Sequence, residues 1–506
     1  MYEGKIVDLD KLAEICRELK KEEKRLVQCH GCFDLLHPGH IRHFRAAKKY
    51  GDILVVTVTP DRFVNKGPGR PVFNERLRME SIASLEVVDY VSLNRWETAI
   101  ETLKLLKPDF YVKGQDYSDR TEDITGNIIL EEEAVKEGGG EIKVTDEITF
   151  SSSKIINKHF DVLSEDARDY IKEFKHDFSS DDIIAILKDL KDLNVLVIGD
   201  AIMDKYTFCR AIGKPEKAAV VSTKYLYDEI YAGGSLMISN HVAGFAKSVH
   251  LITTIGRRNS MEDFIREKLR ENVTPKFFYR EDAPTIVKRR YIESFNNAKL
   301  LEVSEINEEF VNRNIEQEII AYLEEMIPAV DIVLIADFGH GLITPNIREE
   351  IVKKADYSAV NAQTNSANFG FNLITKYSDV DYISIDEREL RLPYRAKFGD
   401  FEPLIERLVL DTKCEKINVT LGSSGSIYYQ KGKTYFVPVF SDSIVDTVGA
   451  GDAVLSITSM LAYRDIDPRI IPFVGNATGA LAVKILGNKE PINPVKLFKF
   501  IKYMLE

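Results

Sequence analysis

The chain has 506 residues, 44% of them hydrophobic and 29% charged, and a formal net charge of −12. That length implies two or three domains, and no run approaches the ~20 consecutive apolar residues of a membrane span. The acidic balance and the charged first 25 residues, which hold no apolar leader core, predict no nucleic-acid partner, no membrane partner and a cytoplasmic location.

The five cysteines, Cys16, Cys29, Cys32, Cys209 and Cys414, are an odd and scattered set, so free thiols are expected. Cys29 and Cys32 have the spacing of a metal or redox pair, but no second pair follows at zinc spacing. In chain order, Leu26-Val27-Gln28 reads as a strand end and Ile41 to Lys48 as the start of a helix. Between them lies Gly31-Cys32-Phe33-Asp34-Leu35-Leu36-His37-Pro38-Gly39-His40. Two imidazoles flanking a Pro-Gly turn at a helix N-terminus can donate to charge that develops on a phosphate. The plainer reading is two histidines that cap a helix or fill a core. His37, His40 and His43 also invite a zinc site, which a turn at Pro38-Gly39 would interrupt. Ile53 to Thr59 and Asp89 to Leu93 read as strands and Trp96 to Leu106 as a helix, the alternation of a doubly wound parallel sheet.

The stretch Gly31 to His40 closely resembles the signature of nucleotidyltransferases that act on sugar, polyol and choline phosphates. Lys66-Gly67, Arg70-Pro71-Val72 and Arg78 look like the basic loop of that family, Val112 to Tyr117 like its next element, and Ser151 to Ile156 like its last motif. The resemblance implies that His37, His40, Lys66 and Lys113 stabilise charge during transfer. It places Gly31, Cys32, Phe33, Arg78, Ser151, Ser152 and Ser153 at the nucleotide and Asp116 at the substrate.

From about Asp161 to Lys191 the chain reads as a charged helical connector. A second α/β unit begins at Asn194 to Asp200, with buried-strand patterns at Val249 to Ile255, Asp331 to Ala336, Asp381 to Ile385 and Lys416 to Leu421. Near its end stands Asp446-Thr447-Val448-Gly449-Ala450-Gly451-Asp452. Small residues there let amides approach a phosphoryl group, the helix dipole favours its charge, and Asp452 is placed to take a proton from a hydroxyl.

That string resembles the signature of ribokinase-like sugar kinases. Val419 to Gly425 resembles the family's nucleotide turn, implying roles for Thr420, Gly422 and Gly425 beside Gly449, Ala450 and Gly451, and Gly475 to Gly487 resembles its adenine side, with Asn476. Asp386 to Glu389 falls where the family carries Asn-x-x-Glu near Mg²⁺, so Glu389 is the metal-side residue. Gly199 to Tyr206 and Gly213 to Glu216 look like heptose-phosphate kinases, and this implies that Asp204, with Gly233 and Gly234, meets the sugar. Two positions depart from the pattern: Met237 replaces an Asn, with Asn240 three residues on, and Val360 to Asn365 lacks an Asp-Pro-Lys strand end, altering the acceptor pocket.

Together the halves resemble bifunctional heptose 7-phosphate kinase/heptose 1-phosphate adenylyltransferases in reversed order. The implied fold class is α/β: a Rossmann-like doubly wound nucleotidyltransferase domain (1–160), a helical connector (161–191) and a ribokinase-like domain with a small β lid (192–506). The implied ligands are a sugar phosphate, ATP or CTP, and Mg²⁺, and a homodimer is expected. Two alternatives stand beside this one: a cytidylyltransferase for a polyol or alcohol phosphate with a regulatory kinase-like domain, and a nucleotide-sensing scaffold.

Overall fold

The computed structural model describes residues 3–64, 70–114, 127–145, 163–215, 220–295, 297–441 and 444–505. They separate into two units, Met1–Ser164 with Phe498–Glu506, and Glu165–Leu497. Lys66, Asp116, Ser151, Ser152 and Ser153 lie outside the described residues.

In the first unit, β1 (Leu26–Gly31), β2 (Ile53–Val58), β3 (Tyr90–Leu93), β4 (Phe110–Lys113) and β5 (Glu141–Val144) form one parallel sheet in the order β3-β2-β1-β4-β5. Val27, Leu54, Val55, Val56 and Val112 are buried because a parallel sheet is covered on both faces. The strand order reverses between β1 and β4, so the crevice beyond their C-terminal ends is where a ligand fits. Two local expectations differ. The helix expected from Ile41 runs Pro38–Lys48, since Pro38 and Gly39 enter its first turn, where a missing proline N–H costs nothing. The helix expected from Trp96 is Ile100–Leu106, because Asn94 Nδ2 donates to the carbonyls of Trp96 (2.7 Å) and Thr98 (2.8 Å) and holds that stretch in a turn.

The second unit has a nine-stranded sheet of β6 (Asn194–Gly199), β9 (Ser248–Gly256), β10 (Val273–Arg280), β13 (Ile332–Asp337), β14 (Ser358–Ala362), β15 (Tyr382–Asp386), β16 (Lys416–Thr420), β17 (Ser426–Gln430) and β18 (Lys433–Val437). Its order is β10-β9-β6-β13-β14-β15-β16-β17-β18, all parallel except β17, which runs antiparallel to both its neighbours. The helices Ser235–Phe245 and Ala450–Tyr463 are apolar almost all round and correspondingly buried. A four-stranded sheet, β12-β11-β7-β8, is built from β7 (Ala201–Gly213), β8 (Ser222–Gly234), β11 (Ile286–Glu293) and β12 (Ala298–Glu305). It is the small β lid.

The expected connector is, in its described part, two helices, Glu165–Asp177 and Ser180–Asp189, that belong to the second unit. Ile171, Phe174, Ile183 and Leu187 are buried, and the Phe174 ring stacks on Phe473 at 4.2 Å. The charged residues that suggested a solvated linker occupy the other face of each helix.

Candidate active sites

In the first unit, His37 caps the helix Pro38–Lys48, and its Nδ1 accepts from Gly39 N at 3.1 Å. That bond makes Nδ1 the acceptor and leaves the proton of the neutral ring on Nε2, a donor. The capping role and the phosphate role are therefore compatible. His40 stacks on His37 with centroids 3.8 Å apart, and Phe33 meets His40 edge-on at 5.3 Å. Phe33 and Cys32 are buried, so their side chains pack inside the turn after Gly31. His43 lies in the same helix as His40, but its Nδ1 pairs with Thr145 Oγ1 at 3.0 Å, and burial, with Lys113 adding, pushes its pKa down to about 4.

Among the described residues, the cations expected at the triphosphate are engaged inside the protein. Arg78 is clamped: Nε donates to Phe73 O (2.9 Å), Nη1 to Cys32 O (2.5 Å), and Nη2 to Thr59 O (2.8 Å) and Asp61 Oδ1 (2.6 Å). With its side chain fully buried, it ties the β1 turn to the loop after β2, which corrects its expected place at the nucleotide. Arg70 pairs with Asp34 at 2.8 Å, both side chains fully buried, while Asp34 Oδ1 accepts from Val72 N (2.7 Å) and Phe73 N (3.2 Å). Lys113, at the end of β4, pairs with Glu131 at 2.7 Å. Glu131 and the Asp34–Arg70 bond had no sequence signal, since the partners come from distant elements.

In the second unit a cavity of about 1100 Å³ brings together Asp204, Gly234, Glu389, Thr420, Gly422, Gly425, Gly449, Ala450, Gly451, Asp452 and Asn476. Asp452 sits in the first turn of the helix Ala450–Tyr463, and burial, then the Asp204 charge, pushes its pKa up to about 7, with Lys288 opposing. Gly449 has φ +81°, and a β-carbon there would stand 2.1 Å from Asn488 Oδ1, so the turn admits only glycine on both counts. Asp446 sets that turn: its carboxylate takes Val448 N (3.2 Å), Gly487 N (3.0 Å), Tyr206 Oη (3.0 Å) and Lys299 Nζ (2.6 Å).

Asp204 accepts from Arg290 Nη1 and, at 2.6 Å, from Asn488 Nδ2; Arg290 also pairs with Glu302 at 2.8 Å. A β-carbon on Gly233 would lie 2.1 Å from Asp204 Oδ2, so Gly233 shapes the site from behind without lining the cavity. Asn488, Arg290, Glu302 and Lys288 had no motif, and it is the pairing of β11 with β7 that sets Lys288 opposite Asp204. Glu389 forms a capping box with Asp386: one oxygen accepts from Asp386 N and the other from Thr364 N, both at 2.8 Å. Burial and Asp386 push its pKa up to about 8. In the same cavity, Asn476 Nδ2 donates to Ser426 Oγ at 2.7 Å.

The departures sort differently from expectation. Met237 is buried inside the helix Ser235–Phe245 and lines no part of the cavity, and Asn240 is tied to Lys268 O and Arg270 N, both at 2.9 Å. Asn361 and Gln363 do line it, Asn361 donating to Ser384 O at 2.8 Å.

The model of the pfkB family of carbohydrate kinases matches residues 192–494. The chain belongs to that family. The model of the cytidylyltransferase-like family matches residues 29–158, so this domain precedes the pfkB kinase domain. Curated relatives align with the N-terminal part: the bifunctional protein HldE of Nitratiruptor sp. is 40% identical over 129 residues, 25% of this chain and 28% of that protein. HldE of Campylobacter fetus is 40% identical over 160 residues, 31% of this chain and 32% of the relative. The chain thus spans less than a third of the length of these relatives. Among solved structures, the ribokinase of Arabidopsis thaliana complexed with ribose and ATP is 15% identical (TM-score 0.48), covering 62% of this chain and 99% of that one. Phosphofructokinase-2 of Escherichia coli in complex with fructose-6-phosphate is 13% identical (TM-score 0.48), covering 61% and 99%. No helix among the described residues of this pfkB protein is long and apolar enough to cross a membrane.

Proposed function

We propose that the chain is a bifunctional sugar-nucleotide enzyme. The observation that carries this reading is the shared cavity of Asp452, the Gly449–Gly451 turn and Asp204, in a chain whose first unit holds paired histidines at a strand-to-helix turn.

In the pfkB unit, Asp204 orients a sugar hydroxyl and Asp452 takes its proton as the oxygen bonds to the γ-phosphorus of ATP. The bond to the bridging oxygen breaks and ADP leaves. The amides of Gly449 to Gly451 and the helix N-terminus stabilise the charge on the transferring group. The donor set fits Mg²⁺, which takes one or two carboxylates and otherwise keeps waters and phosphate oxygens: Glu389 and Asp386 line the cavity with hard oxygens. Mg²⁺ held there would neutralise charge on the ATP phosphates.

In the first unit, an oxygen of the sugar 1-phosphate attacks the α-phosphorus of ATP or CTP, and pyrophosphate leaves. His37 Nε2–H and His40 donate to the charge on the phosphates, and Lys113 adds its field from the end of β4. Lys66, Asp116 and Ser151 to Ser153 complete the proposed site. A cytoplasmic homodimer belongs to the same reading, supported by exposed apolar side chains on the lid, among them Ile212, Tyr225, Leu301 and Val303.

The test is to incubate the intact protein with Mg²⁺, ATP or CTP and a panel of sugars, sugar phosphates and polyol phosphates, recording ADP and pyrophosphate separately. Release of both, each with its own acceptor, supports the reading. Neither product above background from any acceptor overturns it.

A further inference from the structure

The lid strand β12 changes its facing once. Glu302 and Ser304 line the cavity, whereas Leu301 and Val303 lie exposed on the other face, as the alternation of a strand requires. Carried two residues further, that alternation would send Lys299 outward with Leu301. Instead the pairing with β11 shifts register: Tyr291 stands opposite Leu301 and Ile292 opposite Lys299, so Leu300 is an extra residue on β12. A bulge of this kind re-aims the side chain beside it. Lys299 Nζ accordingly reaches Asp446 Oδ1 at 2.6 Å.

Asp446 is 2% exposed at its side chain, and each of its oxygens takes two donors. Oδ1 accepts from Lys299 and from Val448 N at 3.2 Å, and Oδ2 from Tyr206 Oη and Gly487 N, each at 3.0 Å. Two amides and a phenol alone would leave the charge of a buried carboxylate uncompensated, and Lys299 is the one cation paired with it among the described residues. Burial works to raise its pKa, but the hydrogen bonds from Lys299 and Val448 hold it below the ordinary carboxylate value. Kept ionised, it is an acceptor for all four donors at once. The lid sheet therefore faces the cavity with Asp204, Arg290 and Glu302, and meets Asp446 with Tyr206 and Lys299.

We propose that Lys299 is a positioning residue of the kinase reaction: from the lid it fixes the Asp446 carboxylate, which fixes the Val448 and Gly487 amides and so aims the Gly449–Gly451 amides at the transferring phosphoryl group. This rests on the kinase reading above. Lys299 does not line the cavity, so its effect runs through Asp446. The sheet that bears the acceptor-facing residues thereby also sets the turn proposed to hold the phosphates.

The test uses the intact chain with Mg²⁺, ATP and whichever member of the acceptor panel gives the fastest ADP formation. Wild type, Lys299→Met, Lys299→Arg, Asp446→Asn and the double variant Lys299→Met with Asp446→Asn are compared by steady-state kinetics. Hydrogen exchange, read by mass spectrometry with Mg²⁺ and ATP alone, is measured on the same proteins. Lys299→Met should lower kcat about tenfold to a hundredfold, the effect of slightly misplaced groups, with the acceptor KM little changed. Lys299→Arg, which keeps the charge, should recover part of that loss. Exchange in Lys299→Met should quicken in the segments that hold the Val448 and Gly487 amides and not across the rest of the pfkB unit. The double variant should be no slower than Asp446→Asn, because Lys299 acts through Asp446. A kcat in Lys299→Met within about twofold of wild type overturns the proposal. So does exchange that quickens evenly across the unit, which would make Lys299 a support of the fold alone. Should Lys299→Met fail to fold, Lys299→Gln takes its place. Absence of ADP from every acceptor in wild type would sink the kinase reading, and exchange would still decide the tie: quickening confined to the two segments sustains it, and unchanged exchange overturns it.

Discussion

Asn488 donates from Nδ2 to Asp204 Oδ2 at 2.6 Å across 284 residues of sequence, while its Oδ1 occupies the space a side chain at Gly449 would need. One amide thus links the residue proposed to hold the acceptor with the turn proposed to hold the phosphates. Asn488→Ala leaves a buried carboxylate oxygen short of a partner, a cost of ~1–3 kcal/mol. Acceptor-dependent ADP formation should fall about tenfold or more while pyrophosphate release is unchanged. Steady-state kinetics of the two products checks this.

Asp452→Asn should eliminate acceptor-dependent ADP formation but preserve ATP binding, since it removes the base without enlarging the site. In wild type the reaction needs the ionised carboxylate, so kcat/KM should rise about tenfold per pH unit below about pH 7 and level off above it. The stability effect has the opposite direction. With its pKa raised from 3.8 to about 7 by burial and by Asp204, this group's contribution to stability is full below about pH 4 and is lost as the pH climbs through about 7. Asp452→Asn should therefore gain thermal stability relative to wild type between pH 4 and pH 8, as scanning calorimetry would show.

His40→Ala should lower pyrophosphate release by ~10²–10³, the ~2.7–4 kcal/mol of one donor aimed at transition-state charge, and leave ADP release intact. His37→Ala should do the same and in addition cost ~0.5–2 kcal/mol of stability, because His37 also caps the helix Pro38–Lys48. Unchanged nucleotidyl transfer in both variants would remove the histidines from the site.

Arg78→Met strips donors from the carbonyls of Cys32, Thr59 and Phe73, at ~1–3 kcal/mol for each buried group left unsatisfied. The first unit should unfold at markedly lower temperature, and any folded fraction should keep its KM for the nucleoside triphosphate. A raised KM without loss of stability would instead return Arg78 to the nucleotide.

Phe174→Ala opens a cavity against Phe473 and should cost the pfkB unit ~3–5 kcal/mol. Denaturant unfolding would reveal the loss, which a solvated linker would not show.

The backbone paths from Gly31 to His40 and from Asp446 to Asp452 were legible in the sequence because a strand end, a turn and a helix start are local and a few consecutive residues specify them. The strand patterns of β2, β9, β13 and β16 were legible for the same reason, since strands buried on both faces read as apolar runs. What the sequence could not show is what each charge faces. Arg78 belongs to a basic stretch yet closes on carbonyls up to 46 residues away, and nothing local marks Lys288 and Arg290 until the lid sets β11 beside Asp204. The helix Glu165–Asp177 looked solvated until Phe174 met Phe473. Side-chain pairing across the fold depends on sheet order and on which helix face is covered, and those follow from the packing of whole units, so only the tertiary structure decides whether a cation clamps the protein or waits for a ligand.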